Sequence, residues 1–403
     1  MSKLLTKIEP DEIKHLGPDT LVRLLHRLLL CEARAMGLSN HGILVPYEIT
    51  VPDGGSDGEW KAQGNTNEFI PRNWTRYQCK AERITAGKCR DEIAPADNKG
   101  NFNAKARVKE VLEAGGCYAF FSNGHEVKPS GEDDIDTIAR DQLQKAGVTP
   151  AAGAIIEFFG CNRIADWTNK FPSAVRYVRE VTKGFGGLHY FTFDGWTKLA
   201  DVSGPFFGND AISQKIATIR DTLLAGKTLM IRMTGLSGVG KSRLVYEALK
   251  PSDNGNSLQD SLSASCIYLS YESVSADLLG LIGHLADNGY AAVVVVDDCP
   301  PEIHDRIANV VGNSSLSVIT IFHEPQQQRG DSHPLNLAPE EMGEVVEQIL
   351  RGDANLAARG DGAIKAVASF AQGFPQIAKL IVEFHRAPTM DELNDRAKVF
   401  HLS

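Results

Sequence analysis

Long apolar runs and paired cysteines are both missing from this chain, and each absence removes a class of protein. The longest purely apolar run, Tyr290 to Val296, has 7 residues, far short of the ~20 that a membrane-spanning helix needs, so no membrane partner is expected. The N-terminal segment mixes Lys3, Lys7 and Glu9 with isolated Leu and Ile residues. It offers no apolar signal core followed by small residues, so a cytoplasmic protein is expected. Seven cysteines (Cys31, Cys79, Cys89, Cys117, Cys161, Cys266 and Cys299) are scattered without a C-x-x-C pair. Their odd number argues against a disulfide framework. No internal repeat of 20 to 50 residues is present, which excludes a solenoid or propeller. The net charge of −9 opposes nucleic-acid binding by the chain as a whole.

What is present fits a globular protein. The 403 residues are 42% hydrophobic and 23% charged, and at ~150 residues per domain the length points to two domains. Charge is unevenly spread. From Lys61 to Glu110 there are 11 basic against 6 acidic residues, a local +5 that leaves the remainder at −14. A polyanion partner such as double-stranded DNA is expected at that segment, with Arg72 and Arg76 among the residues tracking phosphates.

The pattern of apolar residues predicts a helix over 19–36, with Leu21, Leu25 and Leu28 at helical spacing and Glu32 on the same face. Strands are expected at 59–62, 76–81, 116–122 and 154–159, and helices at 132–145 and 163–183 with a break at Pro172. This is an α-β-β-β-α-β order. After a Gly- and aromatic-rich stretch, a domain boundary is expected at 204/205, giving domains 1–204 and 205–403. The second half predicts a helix over 212–224, then strands at 228–234, 266–270, 291–296 and 316–322. Helices at 241–249 and 276–285 alternate with those strands, and helical segments follow to the C-terminus. Alternation of this kind implies an α/β fold with a doubly wound parallel sheet.

Residues Gly235-Leu236-Ser237-Gly238-Val239-Gly240-Lys241-Ser242 satisfy G-x-x-x-x-G-K-[ST] between a strand and a helix. Glycines let the backbone wrap round phosphates with N–H groups inward, and the helix N-terminus adds partial positive charge. Lys241 is expected at the β and γ phosphates and the Ser242 hydroxyl on Mg²⁺, so ATP and magnesium are the expected cofactors. The apolar strand ending Val296-Asp297-Asp298 brings two carboxylates to the C-terminal edge of the sheet. Asp297 is expected to hold the metal and Asp298 to orient or deprotonate water. His323, at the end of the next strand, is a candidate γ-phosphate sensor.

These residues resemble the STAND class of P-loop NTPases, and Gly373-Phe374-Pro375 resembles that class's G-x-P motif. The resemblance implies that the helix bearing Pro375 contacts the nucleotide within a C-terminal helical lid. His323-Glu324 departs from the class, whose members commonly carry Arg near the sensor.

In the first half, Asp57 in a Gly-rich turn precedes Gln78-x-Lys80 on a strand. Alternation places Gln78 and Lys80 on one face and Tyr77 and Cys79 on the other. This arrangement resembles the Mrr-like variant of the PD-(D/E)XK, restriction-endonuclease-like nucleases, in which Gln replaces the second acid. The resemblance implies a metal shared by Asp57, Gln78 and the Cys79 carbonyl, a water steered by Lys80, and an additional helical acid, Glu32, as ligand. Phe69 to Trp74 running into Lys80, Asn162 to Trp167, and Ile231 to Gly235 running on through Lys241-Ser242-Arg243-Leu244 together resemble the bacterial antiviral STAND NTPases, the Avs family. That resemblance covers residues ~20 to ~390. It implies an anti-phage DNA endonuclease licensed by ATP-dependent homo-oligomerisation, as a tetramer. The family's C-terminal repeat sensor binds a phage protein, whereas only 28 residues follow Pro375 here. Either the chain is truncated, or a partner senses the trigger.

Two other readings stay open. In one, the ATPase is an oligomerisation switch and the first domain binds DNA without cutting it. In the other, the chain is an ATP-driven transcription regulator.

Overall fold

The computed structural model describes residues 7–38, 42–44, 56–63, 66–131, 134–185, 189–199, 204–225, 229–252, 258–312, 314–323 and 332–384. They form two compact units. One is built from residues up to 185 together with 252 and 258–265, the other from 189–251 and 266–384. The division therefore falls near residue 186 rather than at 204/205, because Phe191–Thr192 pairs as a strand within the second sheet.

In the first unit, Pro18 opens the helix Pro18–Ala35, where its missing N–H needs no partner. Leu21, Leu24, Leu25, Leu28 and Leu29 of that helix are fully buried. The sheet contains β1 (Ile43–Leu44), β2 (Gly58–Lys61), β3 (Trp74–Lys80), β4 (Cys117–Ser122) and β5 (Ile155–Phe159), in that spatial order. β1, β2 and β3 run antiparallel, while β3, β4 and β5 are parallel. Alternation along the strands splits the core in two. Tyr77, Cys79, Ala119, Phe121 and Phe159 pack with the helix Pro18–Ala35. Tyr118, Phe120, Ile156 and Phe158 face the helices Ala86–Ile93, Ala106–Glu113 and Ile135–Lys145. Both faces of the sheet are thus covered, and the all-buried β4 is apolar from Cys117 to Phe121 before Ser122 ends it.

β1 and the helices Ala86–Ile93 and Ala106–Glu113 add to the predicted order. Residues 258–265, which follow the phosphate-loop helix in sequence, belong to this first unit. Their helix, Leu258–Ala264, is held by Arg27, whose Nη1 donates to the Ala264 carbonyl at 2.8 Å.

The second unit holds β6 (Phe191–Thr192), β7 (Leu229–Thr234), β8 (Cys266–Ser270), β9 (Val293–Asp297), β10 (Ser317–Ile321) and β11 (His333–Asn336). Their order is β11-β7-β10-β9-β8-β6. All neighbours are parallel except β6, an antiparallel edge, so the sheet is mixed rather than wholly parallel. β10 separates the strand that feeds the phosphate loop from the strand that ends in Asp297. The helices Gly343–Arg351, Ala354–Ala358, Asp361–Ala371 and Pro375–Phe384 form a C-terminal helical subdomain around Val346, Leu350, Ile364, Ala371 and Ala378.

Candidate functional site

β7 delivers the chain into the phosphate loop, and the helix Lys241–Leu249 leaves it. Gly235, Gly238 and Gly240 take φ of 145°, 80° and 101°, the region where a side chain is strained. At Gly235 space forbids one as well, since a Cβ would lie 2.3 Å from the Leu337 carbonyl oxygen. Lys241 Nζ donates to the Leu236 carbonyl at 3.0 Å, which keeps the ammonium over the loop. Burial lowers its pKa, while Asp297 and Asp298 oppose that shift.

Ser242 Oγ donates to Asp297 Oδ2 at 2.8 Å, joining the two residues expected on the metal. Tyr268 donates its hydroxyl to the same oxygen at 3.1 Å, and the Asp298 N–H donates to Oδ1 at 3.0 Å. Burial raises the Asp297 pKa against the lowering effect of these donors and of Lys241. Asp298 lies at φ 53°, a left-handed conformation that Asp tolerates better than most residues and that sets it apart at the strand end. A hydroxyl and a carboxylate are the hard oxygen ligands that magnesium prefers, so this pair fits the metal.

Other predicted residues are placed differently. Pro375 is buried at the start of its helix, and the next residue, Gln376, donates its N–H to the Gly238 carbonyl at 3.3 Å, so this segment touches the loop. Arg243 is turned aside: Nε donates to Glu247 at 2.9 Å and Nη2 to the Gly204 carbonyl at 2.9 Å. His323 is exposed one residue beyond Phe322, whose ring centroid lies 4.1 Å from its own. Toward the C-terminal end of β10 the buried polar group is Thr320 instead, with its hydroxyl 2.7 Å from His304 Nδ1 and 3.2 Å from Arg232 Nη1. Arg232 also donates to the Cys299 carbonyl at 3.0 Å, which pins the turn following Asp298. Sequence reasoning gave no role to Tyr268, His304 and Thr320, nor to Arg232, which it noted only within the stretch Ile231 to Gly235.

In the first unit, Asp57 immediately precedes β2. Its Oδ2 accepts from Gln78 Nε2 at 2.5 Å and from the Cys79 N–H at 2.7 Å. Gln78 is buried, and its Oε1 has no hydrogen-bond partner. Lys80 Nζ pairs with Glu92 Oε1 at 2.6 Å, and Glu92 Oε2 pairs with Lys105 at 2.7 Å. Burial pushes the Glu92 carboxyl up, but the two lysines outweigh it and the net shift is downward. The expected alternation holds, because Tyr77 and Cys79 enter the core of the opposite face.

That alternation corrects the expectation for Glu32. Its helix packs on the Tyr77 face, away from Gln78 and Lys80. Its oxygens accept from Trp167 Nε1 at 2.9 Å and Asn67 Nδ2 at 3.0 Å. Burial raises its pKa, opposed by Lys170 and these donors. Glu32 therefore anchors the core and does not join Asp57. Among the described residues, no group of three or more His, Cys, Asp or Glu side chains is placed to hold a metal.

In the basic segment the expectation for Arg76 is corrected. Arg76 is 6% exposed, ion-paired with Glu59 and with Glu110 at 2.8 Å, and donates to the Arg107 carbonyl at 2.7 Å. Arg72 donates to the carbonyls of Gly153 and Pro71, each at 3.0 Å. Arg76 is unavailable to phosphates, although Arg83, Arg90 and Arg107 are exposed.

No described helix is long and apolar enough to cross a membrane. No protein-family profile matches the chain, and no curated protein matches it. Solved structures show a distant likeness. PCH-2 of C. elegans is 12% identical, with a TM-score of 0.31 over 53% of this chain and 73% of that one. NtrX from Brucella abortus in complex with ATP is 13% identical, with a TM-score of 0.31 over 71% and 72%. The same protein in complex with ADP is 12% identical, with a TM-score of 0.29 over 68% and 69%. Likenesses at this distance say nothing of activity.

Proposed function

We propose that this chain is a magnesium-dependent P-loop ATPase whose nucleotide state controls a metal-dependent DNA endonuclease unit in defence against phage. The observation that carries the reading is the 2.8 Å contact between Ser242 on the phosphate loop and Asp297 at the end of β9, with Lys241 over the loop. Magnesium bound by that pair supplies charge neutralisation at the β and γ phosphates. The residues do the rest. Loop N–H groups and Lys241 hold the phosphates, Asp297 and Ser242 hold the metal, and Asp298 faces the attacking water.

For the first unit, the supporting observation is the buried, unpartnered Gln78 Oε1 beside the Asp57 carboxylate. The two oxygens suit a hard cation, which would neutralise a scissile phosphate while Lys80 directs the water. Cutting both strands of a duplex requires paired sites, which gives a nucleotide-dependent homo-oligomer, a tetramer, a mechanical role. The trigger is a phage protein bound by a further sensor segment or by a partner. The pairing of Lys80 with Glu92 favours the second reading, in which the unit binds DNA without cutting it.

The test is plasmid cleavage in Mg²⁺ and ATP by wild type, Lys80→Ala and Lys241→Ala, with ATP affinity and particle size measured on the same samples. Both variants are expected to lose cleavage, and only Lys241→Ala to lose ATP binding and assembly. Cleavage by Lys80→Ala at the wild-type rate sinks the nuclease reading. Unchanged ATP affinity in Lys241→Ala sinks the phosphate loop.

A further inference from the structure

Tyr268 sits on β8, outside every motif, yet its hydroxyl converges with that of Ser242 on one oxygen of Asp297. Behind it lies an aromatic group. The Trp196 ring stacks on Tyr268 with centroids 4.3 Å apart and planes 7° from parallel, and Trp196 is 1% exposed. Trp196 also meets Tyr246 edge-on at 5.4 Å, and Phe193 stacks on Tyr246 at 4.7 Å. Tyr246 belongs to the helix Lys241–Leu249, which carries Lys241 and Ser242. A single packed group of rings therefore supports both the phosphate-loop helix and the tyrosine that holds Asp297.

We propose that Tyr268 is a positioning residue for the metal-holding Asp297, backed by Trp196, so that metal–nucleotide binding changes the surroundings of the Trp196 ring. This rests on the ATPase reading and adds to it the group that fixes the carboxylate. A carboxylate at a strand end has freedom about its side-chain bonds. Two donors on Oδ2 and one on Oδ1 remove that freedom, and Tyr268 supplies the donor that the loop itself does not. The ring cannot swing away, because Trp196 covers its face. Partners of this kind behind a metal ligand typically change metal affinity or activity about 10- to 100-fold when removed.

The experiment uses the full chain. Mg²⁺ is titrated into the ADP-bound protein by calorimetry, in wild type and in Tyr268→Phe, which deletes only the hydroxyl. A loss of about 10-fold or more in Mg²⁺ affinity is expected, with metal-free ADP affinity and melting temperature little changed. Tryptophan emission is followed on the same samples. Trp60, Trp74 and Trp167 lie in the first unit and Trp196 alone in the second, so Trp196→Phe should abolish the change caused by Mg²⁺ and ADP. Wild-type Mg²⁺ affinity in Tyr268→Phe overturns the inference, as does an undiminished emission change in Trp196→Phe. If wild type binds no nucleotide, the ATPase reading falls and takes the inference with it. If wild type binds Mg²⁺ and ADP while Tyr268→Phe matches it, only the inference falls. Should Tyr268→Phe melt early, the same Mg²⁺ titration run below its melting transition decides, and wild-type affinity there overturns the inference.

Discussion

Replacing Arg76 with Met tests whether the basic segment is a phosphate track or part of a folded core. Arg76 on β3 lies directly across the antiparallel register from Glu59 on β2, and both are more than nine-tenths buried. Removing the guanidinium leaves the Glu59 carboxylate buried without its main partner, a loss of about 3–5 kcal/mol. The contact with Glu110, whose side chain is 57% exposed, adds at most about 1 kcal/mol. A unit of this size loses about 2–4 °C per kcal/mol, so its transition should fall by roughly 6–24 °C.

Urea and thermal denaturation, followed by circular dichroism, measure this loss. The double variant Glu59→Leu, Arg76→Met should recover most of it, because it leaves no buried charge unpaired and Glu110 is open to water. DNA affinity measured against salt, at a temperature where the variant is folded, should keep the wild-type slope. A single variant within about 1 kcal/mol of wild type, with the salt slope reduced by about one, would refute the reasoning and put Arg76 on a phosphate.

Two further outcomes follow from the same contacts. Glu32→Gln should keep metal-dependent nicking at the wild-type rate, because Glu32 lies on the opposite face of the sheet from Gln78. It should lose about 1 kcal/mol, since the new amide faces the Asn67 donor, and abolished nicking in a folded variant would return Glu32 to the metal site. Burial first, and Arg232 second, lower the His304 pKa to about 4, opposed by Asp305. The folded state therefore resists a proton that the unfolded chain accepts near 6.5. Its contribution is complete above pH 6.5 and is lost as pH falls toward 4, so His304→Phe should flatten the stability profile in that window. An unaltered profile by denaturant titration contradicts this.

The phosphate loop was legible because its chemistry is local: the glycines, the lysine and the serine lie within eight residues, between a strand and a helix that the pattern also marks. The helix at 241–249 and the strand at 266–270 form at the expected bounds. The helix Ala86–Ile93 escaped because only Cys89 and Ile93 are buried, too few to show a helical period. β11 reads His-Pro-Leu-Asn, with neither alternation nor β-branched residues, and its pairing comes from the neighbouring β7. Arg232 and Thr320 are 88 residues apart and Tyr268 and Asp297 are 29 apart, and no spacing rule connects them. Strand alternation separated Gln78 from Tyr77 correctly, but it could not say which face the helix of Glu32 would cover. That depends on how the helix packs across the sheet.

The two sites differ in how far their own residues complete them. At Asp297 three donors fix the carboxylate, so a metal held there, as proposed, would meet a prepared ligand. At Asp57 the carboxylate is also fixed, by the Gln78 amide and the Cys79 N–H, but the other end of that amide is left over. Its orientation follows from chemistry. Asp57 accepts and does not donate, so Gln78 must present nitrogen to it, and the oxygen is then the buried atom without a partner. Leaving such an acceptor unpaired costs about 1–3 kcal/mol, which a cation held by Asp57 and Gln78, as proposed, would offset. An amide oxygen adds no charge, so the pair offers a cation one negative charge where two acids would offer two. Lys80, drawn to Glu92 at 2.6 Å, stands at the margin of the same face. Under the proposed nuclease reading a metal would be held here more weakly than at a pair of acids, and the difference between cutting DNA and merely holding it would come down to whether a phosphate, arriving with its own charge, completes the ligand set and draws Lys80 from Glu92.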